Sequence, residues 1–279
     1  MKLMRVGNIG RESVAALDSN NKIRDLSNQI KDLNPQTLNE KTLSKLKNIN
    51  LLDLKEISPQ IRIGSCISNP FEFLAIGLNY KSHVDGTKSK LPSEPILFNK
   101  SNGCIQGPND PILKPKSANK MDHEIEVAMI IGREGKYIKE SEAQDYVFGY
   151  CIVNDISERS WQKERGGQWI KGKSIAGPCG PWLVTKDEIK DINNINLSLD
   201  LNGKRRQTGN TKRMIFNFNF LISHISQFMT LYPGTIITTG TPAGTAMEME
   251  KPDFLKPGDK LHLKVDGLGE QFQEVIVEN

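Results

Sequence analysis

The stretch DHEIEVAMIIG, residues 122–132, predicts a buried β-strand with two carboxylates at its start. Alternate residues of a strand share a face, so Glu124 and Glu126 point one way while Ile125, Val127 and Met129 point the other. Neighbouring carboxylates beside an apolar run repel each other, and a nearby cation would offset that repulsion. The two carboxylates therefore indicate a site for a hard divalent metal, which prefers oxygen ligands. The alternative is a strand edge that is exposed to solvent and binds nothing.

A third carboxylate follows the next apolar run, residues 146–153, which ends in Asn154-Asp155. A carboxylate at the end of a buried strand is well placed to reach into a cleft. With Glu124 and Glu126 it would supply one face of an octahedral metal and leave the other positions to water or substrate. Asp155 could instead cap the turn that follows the strand.

Polar residues that suit an acidic substrate lie on both sides of this region. The segment SERSWQKERGGQWIKGKS, residues 157–174, has Gly166-Gly167 and Gly172 as hinges and carries six of them: Arg159, Gln162, Arg165, Gln168, Lys171 and Lys173. Arg binds carboxylates in bidentate fashion and Lys polarises carbonyls, although charge runs are often only solvated loops. His83 follows a Gly-Leu-Asn-Tyr turn and is either a general base or a structural histidine. The loop 239–244, TGTPAG, offers hydroxyls and backbone N–H groups to an anion.

The surrounding sequence predicts a mostly β fold with few helices, of the α+β class. Short apolar runs separated by Gly and Pro continue from residue 69 to the C-terminus, and Asn202-Gly203 indicates a hairpin. Only Met214–Met229 has helical periodicity there, with Phe218 and Phe228 on its apolar stripe. Residues 1–68 are polar, and Thr37 with Glu40 predicts a capping box for a helix that ends near Lys47. We therefore predict a small N-terminal α+β domain, 1–68, and a catalytic domain, 69–279.

Composition excludes several classes of function. The chain has 279 residues and a net charge of +4, without the basic stripe and interleaved aromatics of a nucleic-acid-binding protein. It has no apolar run of about 18 residues that could span a membrane. The four cysteines lie in apolar or Gly-rich surroundings and are expected to be buried free thiols, so we predict a cytoplasmic protein.

Eight strings of this sequence together resemble the fumarylacetoacetate hydrolase family. They are GLNYKSH (77–83), EPILFNKSNGCIQGPNDPI (94–112), DHEIEVAMIIG (122–132), GYCIVNDISER (149–159), ERGGQWIKGKS (164–174), GPW (180–182), SQFMTLYPGTIITTGTPAG (226–244) and LKPGD (255–259). They occur in the expected order and cover residues 70–270. The N-terminal part is also similar to the leading domain of a bacterial branch labelled ureidoglycolate lyase or 2,4-dioxo-3-deoxy-sugar-acid hydrolase.

The resemblance implies a mixed β-roll catalytic domain, a homodimer, and a divalent Mg²⁺ or Mn²⁺ ion, with Ca²⁺ as a further option. By position in the strings it implies one role for each site residue. The metal ligands would be Glu124, Glu126 and Asp155, the catalytic residues His83 (water-activating base) and Lys173 (oxyanion stabilisation), and the substrate-binding residues Tyr80, Arg159, Gln162 and Thr241.

The implied reaction is the hydrolysis of a carbon–carbon bond in a small 2,4-dioxo acid, such as an acylpyruvate or a sugar-derived dioxo acid of the fuconate type. The alternatives are a ureidoglycolate lyase, a 2-oxo acid decarboxylase, hydratase or isomerase, and a binding protein that keeps the metal site without turnover. Acylpyruvate-cleaving relatives usually carry an acid three residues after the histidine, where this chain has Gly86. The nearest acid is Asp85. The run after Lys173, residues 175–178, is about two residues shorter than in much of the branch.

Overall fold

The computed structural model describes residues 1–165 and 169–278, so the predicted hinge Gly166-Gly167 and the substrate-loop residue Gln168 lie outside the described residues. The strands are β1 (Lys2–Val6), β2 (Ser13–Leu17), β3 (Ile23–Asp25), β4 (Glu56–Ile57), β5 (Phe73–Gly77), β6 (Ile96–Asn99), β7 (Ile105–Gln106), β8 (Ile112–Lys114), β9 (Met121–Asp122), β10 (Ile125–Ile131), β11 (Val147–Asn154), β12 (Ser157–Glu158), β13 (Gly177–Thr185), β14 (Asn196–Leu201), β15 (Lys204–Asn210), β16 (Ile236–Thr238), β17 (Lys260–Val265) and β18 (Gly269–Val277). The α-helices are α1 (Glu40–Lys47), α2 (Lys81–Gly86), α3 (Arg159–Lys163), α4 (Trp169–Lys173) and α5 (Phe218–Phe228). The predicted mostly β fold with few helices is confirmed.

Two large sheets and the two-stranded sheet β12-β9 build the described part of the molecule. The larger runs in the order β4-β3-β2-β1-β13-β11-β10-β16-β5-β6, with β7 added to β13, and the smaller runs β15-β14-β17-β18-β8. The hairpin β14–β15 turns at Asn202-Gly203, where both residues have positive φ, which confirms the predicted turn.

Strand β10 is buried on both faces because the larger sheet has a core on each side. Ile125, Val127 and Met129 pack in the core that also holds α5 and the inner face of the smaller sheet. Ala128 and Ile130 pack in the opposite core, which is formed largely by the N-terminal residues. The face of β10 that carries Glu124 and Glu126 therefore becomes apolar further along the strand, and both carboxylates lie at its rim.

The N-terminal strands continue the larger sheet. Strand β1 pairs with β13 in antiparallel register, with Lys2 opposite Val184 and Leu3 opposite Leu183. Strands β2 to β4 extend the sheet outward from β1. The domain boundary at residue 68 stays a prediction.

Two predicted helix limits are wrong in detail. Helix α1 begins at Glu40 because the side chain of Asn39, not Thr37, accepts the Thr42 N–H, at 3.0 Å. The Thr37 hydroxyl instead donates to the carbonyl of Asp32, at 2.5 Å.

The helix predicted over Met214–Met229 begins only at Phe218. The amide of Asn79 binds both backbone groups of Phe216, which holds this segment extended. Phe228, expected on the buried stripe, is 66% exposed at the end of α5. No helix among the described residues is both long and apolar enough to cross a membrane.

Candidate active site

Three buried carboxylates meet where β10 begins and β11 ends. The pairing of these strands sets Ile125 opposite Asn154, which brings the flanking Glu124 and Asp155 together. The Asp155 N–H donates to the Glu124 carbonyl at 2.8 Å. One oxygen from each of Glu124, Glu126 and Asp155 lies within 4.8 Å of the others, so the structure brings together the three predicted metal ligands.

Buried cations surround this cluster. Arg159 binds Glu124 at 2.6 Å and Asp122 at 2.8 Å. Lys173 contacts Glu124 and lies 3.0 Å from Asp155, and its role in oxyanion stabilisation stays a prediction. Burial raises the pKa of the Glu124 carboxyl, but Arg159 and Lys173 outweigh burial and hold that pKa well below its usual range. Glu124 is therefore ionised at neutral pH.

Sequence reasoning missed two residues of this centre. Lys100, whose side chain is fully buried, forms an ion pair with Asp155 and donates to the Lys173 carbonyl. Asp122 accepts from Arg159 and from the backbone N–H of Ala246 at 2.7 Å. Both lie in strings that point to the family, but only their burial and partners separate them from ordinary surface charges.

Glu126 remains without a cation. Among residues 1–165 and 169–278, no Lys, Arg or His lies within ion-pair distance of its carboxyl, which accepts the Gly240 N–H at 2.9 Å. Burial, followed by the nearby Asp155 and Glu124, raises the pKa of Glu126 to about 8. A divalent cation among these oxygens would supply the missing positive charge, so the donor set fits a hard metal ion.

His83 has an acidic partner that the sequence did not identify. Its Nδ1 lies 2.5 Å from Oε1 of Glu248, which belongs to a 3₁₀ turn, Ala246–Glu248, far along the chain. Asp85, the nearest acid in sequence, instead binds Lys81 at the surface, at 2.9 Å. A neutral His83 that donates through Nδ1 to Glu248 keeps the lone pair of Nε2 available as a base.

Gly86 makes room for this partner. A Cβ at position 86 would lie 2.8 Å from Cδ of Glu248 and closer still to Oε2. The absence of a side chain at position 86 therefore leaves room for the Glu248 carboxylate beside His83.

One cleft joins the acidic cluster to His83. It contains about 580 Å³ of empty space, the open solvent at its mouth included. Seven of the nine predicted site residues line it: His83, Glu124, Glu126, Arg159, Gln162, Lys173 and Thr241. Asp155 is not among them. The Thr241 hydroxyl donates to the Ile125 carbonyl at 2.9 Å while accepting from Gln207 at 2.7 Å. Gln162 accepts from Arg159 at 3.2 Å, so the guanidinium and the amide are held together.

Tyr80 lies outside the lining of this cleft. Its hydroxyl is buried and has no hydrogen-bond partner in the described part of the chain. Burial and then the charge of Glu126 raise the pKa of the Tyr80 hydroxyl, so it stays protonated. Its predicted role in substrate binding stays a prediction. The other predicted loop cations, Arg165 and Lys171, are exposed.

The chain is similar to known proteins over nearly its whole length. Residues 72–276 match the family described as fumarylacetoacetate (FAA) hydrolase, C-terminal. A protein of Burkholderia ambifaria that carries the provisional name of a hydrolase is 46% identical over 276 residues, 98% of each chain.

Solved structures support the family match. The fumarylacetoacetate hydrolase of Exiguobacterium antarcticum superposes with a TM-score of 0.88 at 30% identity and covers 100% of both chains. Maleylpyruvate hydrolase of Sphingobium sp. SYK-6, solved with manganese(II) and pyruvate, superposes with a TM-score of 0.83 at 25% identity, again over 100% of both chains. The fold, the family match and these relatives together show that this chain belongs to the fumarylacetoacetate hydrolase family.

Proposed function

We propose that this protein hydrolyses a carbon–carbon bond in a small 2,4-dioxo acid and releases pyruvate or a related oxo acid. The observation that carries the proposal is the cleft itself. On one side it has a cluster of carboxylates in which Glu126 lacks a cationic partner, and on the other the His83–Glu248 pair. The maleylpyruvate hydrolase that shares this fold, and whose structure holds manganese and pyruvate, supports it.

Glu124, Glu126 and Asp155 would hold the divalent metal, for which Mg²⁺ and Mn²⁺ are the candidates and Ca²⁺ is an option. When bound, such an ion acts as a Lewis acid towards oxo-acid oxygens and stabilises enolate charge. Arg159, fixed by Asp122 and Gln162, would orient the substrate carboxylate in the cleft.

The protein's own residues supply the proton transfers. His83 would take a proton from water through Nε2 while Glu248 holds the ring and stabilises its charged form. The water then attacks the distal carbonyl, and Lys173 would stabilise the oxyanion that forms. Cleavage leaves an enolate carbon, which the proton held by His83 can then quench.

A reaction without the water step, such as isomerisation or decarboxylation, remains the second candidate. Solved relatives of this fold include isomerases as well as hydrolases. His83 could serve either reaction as a base, so the release of pyruvate, which only C–C cleavage gives, separates the two candidates.

The deciding experiment incubates the protein with acylpyruvates, 2,4-dioxo sugar acids, oxaloacetate and ureidoglycolate, each with Mg²⁺ or Mn²⁺. Lactate dehydrogenase coupling reports pyruvate, and we expect it from at least one dioxo acid. Glyoxylate and urea from ureidoglycolate, with every dioxo acid inert, would favour the lyase instead. Binding of pyruvate or oxalate without turnover of any substrate would indicate a binding protein.

Metal dependence is the first testable prediction. Asp155→Asn removes one carboxylate from the cluster and should reduce turnover by orders of magnitude and weaken Mn²⁺ binding in calorimetry. Circular dichroism should show an unchanged fold. Full activity of the wild type after exhaustive chelation would refute the metal proposal.

A further inference from the structure

We propose that Cys66, Cys151 and Cys179 form a binding site for a soft monovalent metal ion, Cu(I), separate from the carboxylate cluster of the cleft. The mechanism above uses none of these residues, so this inference does not depend on the proposed function. All four cysteines of the chain are free and buried, as the sequence predicts. Three of them lie together, and their arrangement suggests a role beyond filling the core.

The fold brings the three cysteines together from separate parts of the chain. Cys151 lies on β11 and Cys179 on the neighbouring strand β13. Cys66 precedes β5 and donates its backbone N–H to the Cys179 carbonyl at 3.2 Å. The Cys179 sulfur lies 3.6 Å from the sulfur of each of the other two, and all three sulfurs are within 4.8 Å of one another. The sulfurs therefore form a compact triangle.

The dimensions of this triangle suit a metal–thiolate site. With metal–sulfur bonds of about 2.3 Å, three sulfurs around one ion lie roughly 4 Å apart, close to the separations seen here. A disulfide would require two sulfurs to approach to about 2.05 Å and would leave the third thiol unpaired. The geometry therefore favours an ion shared by all three sulfurs over a disulfide between two of them.

The donor set indicates which ion the site would take. Thiolates are soft ligands that select Cu(I) or Zn²⁺, whereas Mg²⁺ and Mn²⁺ prefer oxygen. Structural Zn²⁺ is almost always bound by four ligands. Among the residues that the structure describes, no His, Asp or Glu joins the three cysteines as a fourth ligand. Three sulfurs alone therefore favour Cu(I), and the carboxylate cluster would keep the hard ion.

Positive charge lies beside the cluster. The Arg5 guanidinium donates to the carbonyl of Ser65, the residue before Cys66, at 3.4 Å. Arg5 also binds Glu12 and Asp32, so it would offset part of the negative charge that thiolates around an ion carry. An adjacent positive charge favours the deprotonated thiols that bind a metal.

Burial determines how the ion would enter. None of the three side chains is exposed, so an ion reaches the cluster only while the chain folds or opens locally. Cys66 belongs to the segment that leads from the N-terminal strands to β5, and it meets the two strand cysteines only when this segment docks. An ion bound there would hold the segment against β11 and β13, and its binding energy would stabilise the fold.

The test supplies Cu(I) to reduced, metal-free protein without oxygen, both in the native state and during refolding from urea. Copper that survives a wash with the Cu(I) chelator bicinchoninate is then measured. We expect one ion per chain, three sulfur neighbours at about 2.3 Å in X-ray absorption, and a Tm raised by roughly 5 °C. No retained copper by either route would overturn the inference and leave the cysteines as core residues.

Substitutions identify the ligands. Cys179→Ala removes the shared sulfur and should abolish copper retention. Cys104→Ala is the matched control, because it removes a buried cysteine outside the group and should keep one ion per chain. If Cys179→Ala does not fold, Cys66→Ala and Cys151→Ala each leave two sulfurs and should raise the Kd for Cu(I) at least tenfold. Wild-type retention in these variants, or an equal loss in Cys104→Ala, would contradict the site.

Two further measurements separate the proposal from its alternatives. After removal of the copper, titration of the denatured chain should find all four thiols. Two thiols instead of four would show that a disulfide had formed. Loading with Cu(I) and Zn²⁺ together should give copper alone in the washed protein, and retained zinc would refute the choice of ion.

Discussion

At the scale of single residues, the histidine partner is the feature that most changes the expected chemistry. Glu248 holds Nδ1 of His83, and a carboxylate in this position orients the ring and stabilises the imidazolium form. Glu248→Gln keeps the size of the side chain and removes its charge. We expect kcat to fall by roughly 10²-fold or more, the usual scale of assisted general-base catalysis.

Asp85→Asn is the control for this prediction, because Asp85 points to Lys81 at the surface. Its kcat should match the wild type with the best substrate. If Asp85→Asn loses as much kcat as Glu248→Gln, the pairing of His83 with Glu248 is not the catalytic one.

The metal cluster could be predicted from the sequence, but the residues that balance its charge could not. Strand alternation at Glu124 and Glu126 and the strand end at Asp155 follow from local pattern alone. Lys100 reaches Asp155 from the residue directly after β6, and Glu248 reaches His83 across 165 positions of sequence. Such contacts depend on the order of strands in the sheet and on the paths of the loops, which short sequence patterns do not predict.

At the scale of elements, Glu158 fixes the helix that carries Arg159 and Gln162. The Glu158 carboxylate accepts the Trp161 N–H at 2.7 Å and the Lys120 N–H at 2.6 Å, which joins the start of α3 to the loop before β9. Burial raises the pKa of this carboxyl, but the hydrogen bonds from Ser160, Trp161, Lys120 and Asn119 outweigh it, and the net pKa lies below its usual value.

This shift predicts a pH-dependent stability. A carboxyl with a depressed folded-state pKa stabilises the fold above its unfolded pKa, near 4.3, and loses that contribution as pH falls through the folded value. Glu158→Gln should therefore cost about 1–2 kcal/mol in urea unfolding at pH 7, and the difference from wild type should shrink below pH 4.

Glu164→Gln provides the comparison, since Glu164 is an exposed neighbour whose pair with Lys120 contributes little. It should change the free energy of unfolding by less than about 0.5 kcal/mol at either pH. A Glu158→Gln cost that stays constant from pH 7 to below pH 4 would exclude the ionised carboxylate as its source.

The ends of the strands and helices show which features local sequence patterns predict and which they do not. The strands Phe73–Gly77 and Lys260–Val265 follow directly from their alternation and composition. The helix expected from Met214 was shortened because Asn79, more than a hundred residues earlier, binds the backbone of Phe216. Periodicity reports a segment's own preference, and a distant side chain can override it.

At the scale of the whole molecule, the shared sheet predicts that the chain unfolds as one unit. Strand β1 pairs with β13, and the N-terminal core packs on the face of the larger sheet that is turned away from the smaller sheet. Leu46→Ala, at a fully buried position of α1, should cost roughly 2–5 kcal/mol and lower Tm by about 5 °C or more. Calorimetry should show a single endotherm that moves as a whole. Two separate endotherms, with only one displaced, would instead support an independent domain over residues 1–68.

The predicted homodimer belongs to the same scale and stays a proposal. Light scattering coupled to size-exclusion chromatography would measure it, with a mass of twice 31.3 kDa as the expected result. A monomeric mass across the working concentration range would contradict it.

The contact between Gly86 and Glu248 has an evolutionary consequence. Because a side chain at position 86 would overlap the present position of the Glu248 carboxylate, an acid on α2 and an acid on the 3₁₀ turn would compete for the same space beside His83. A lineage that gains an acid at position 86 must therefore shift the Glu248 side chain or lose one of the two acids. The two arrangements should therefore form separate branches of the family tree, and a small residue at 86 should accompany an acid at 248 in sequences descended from the same ancestor.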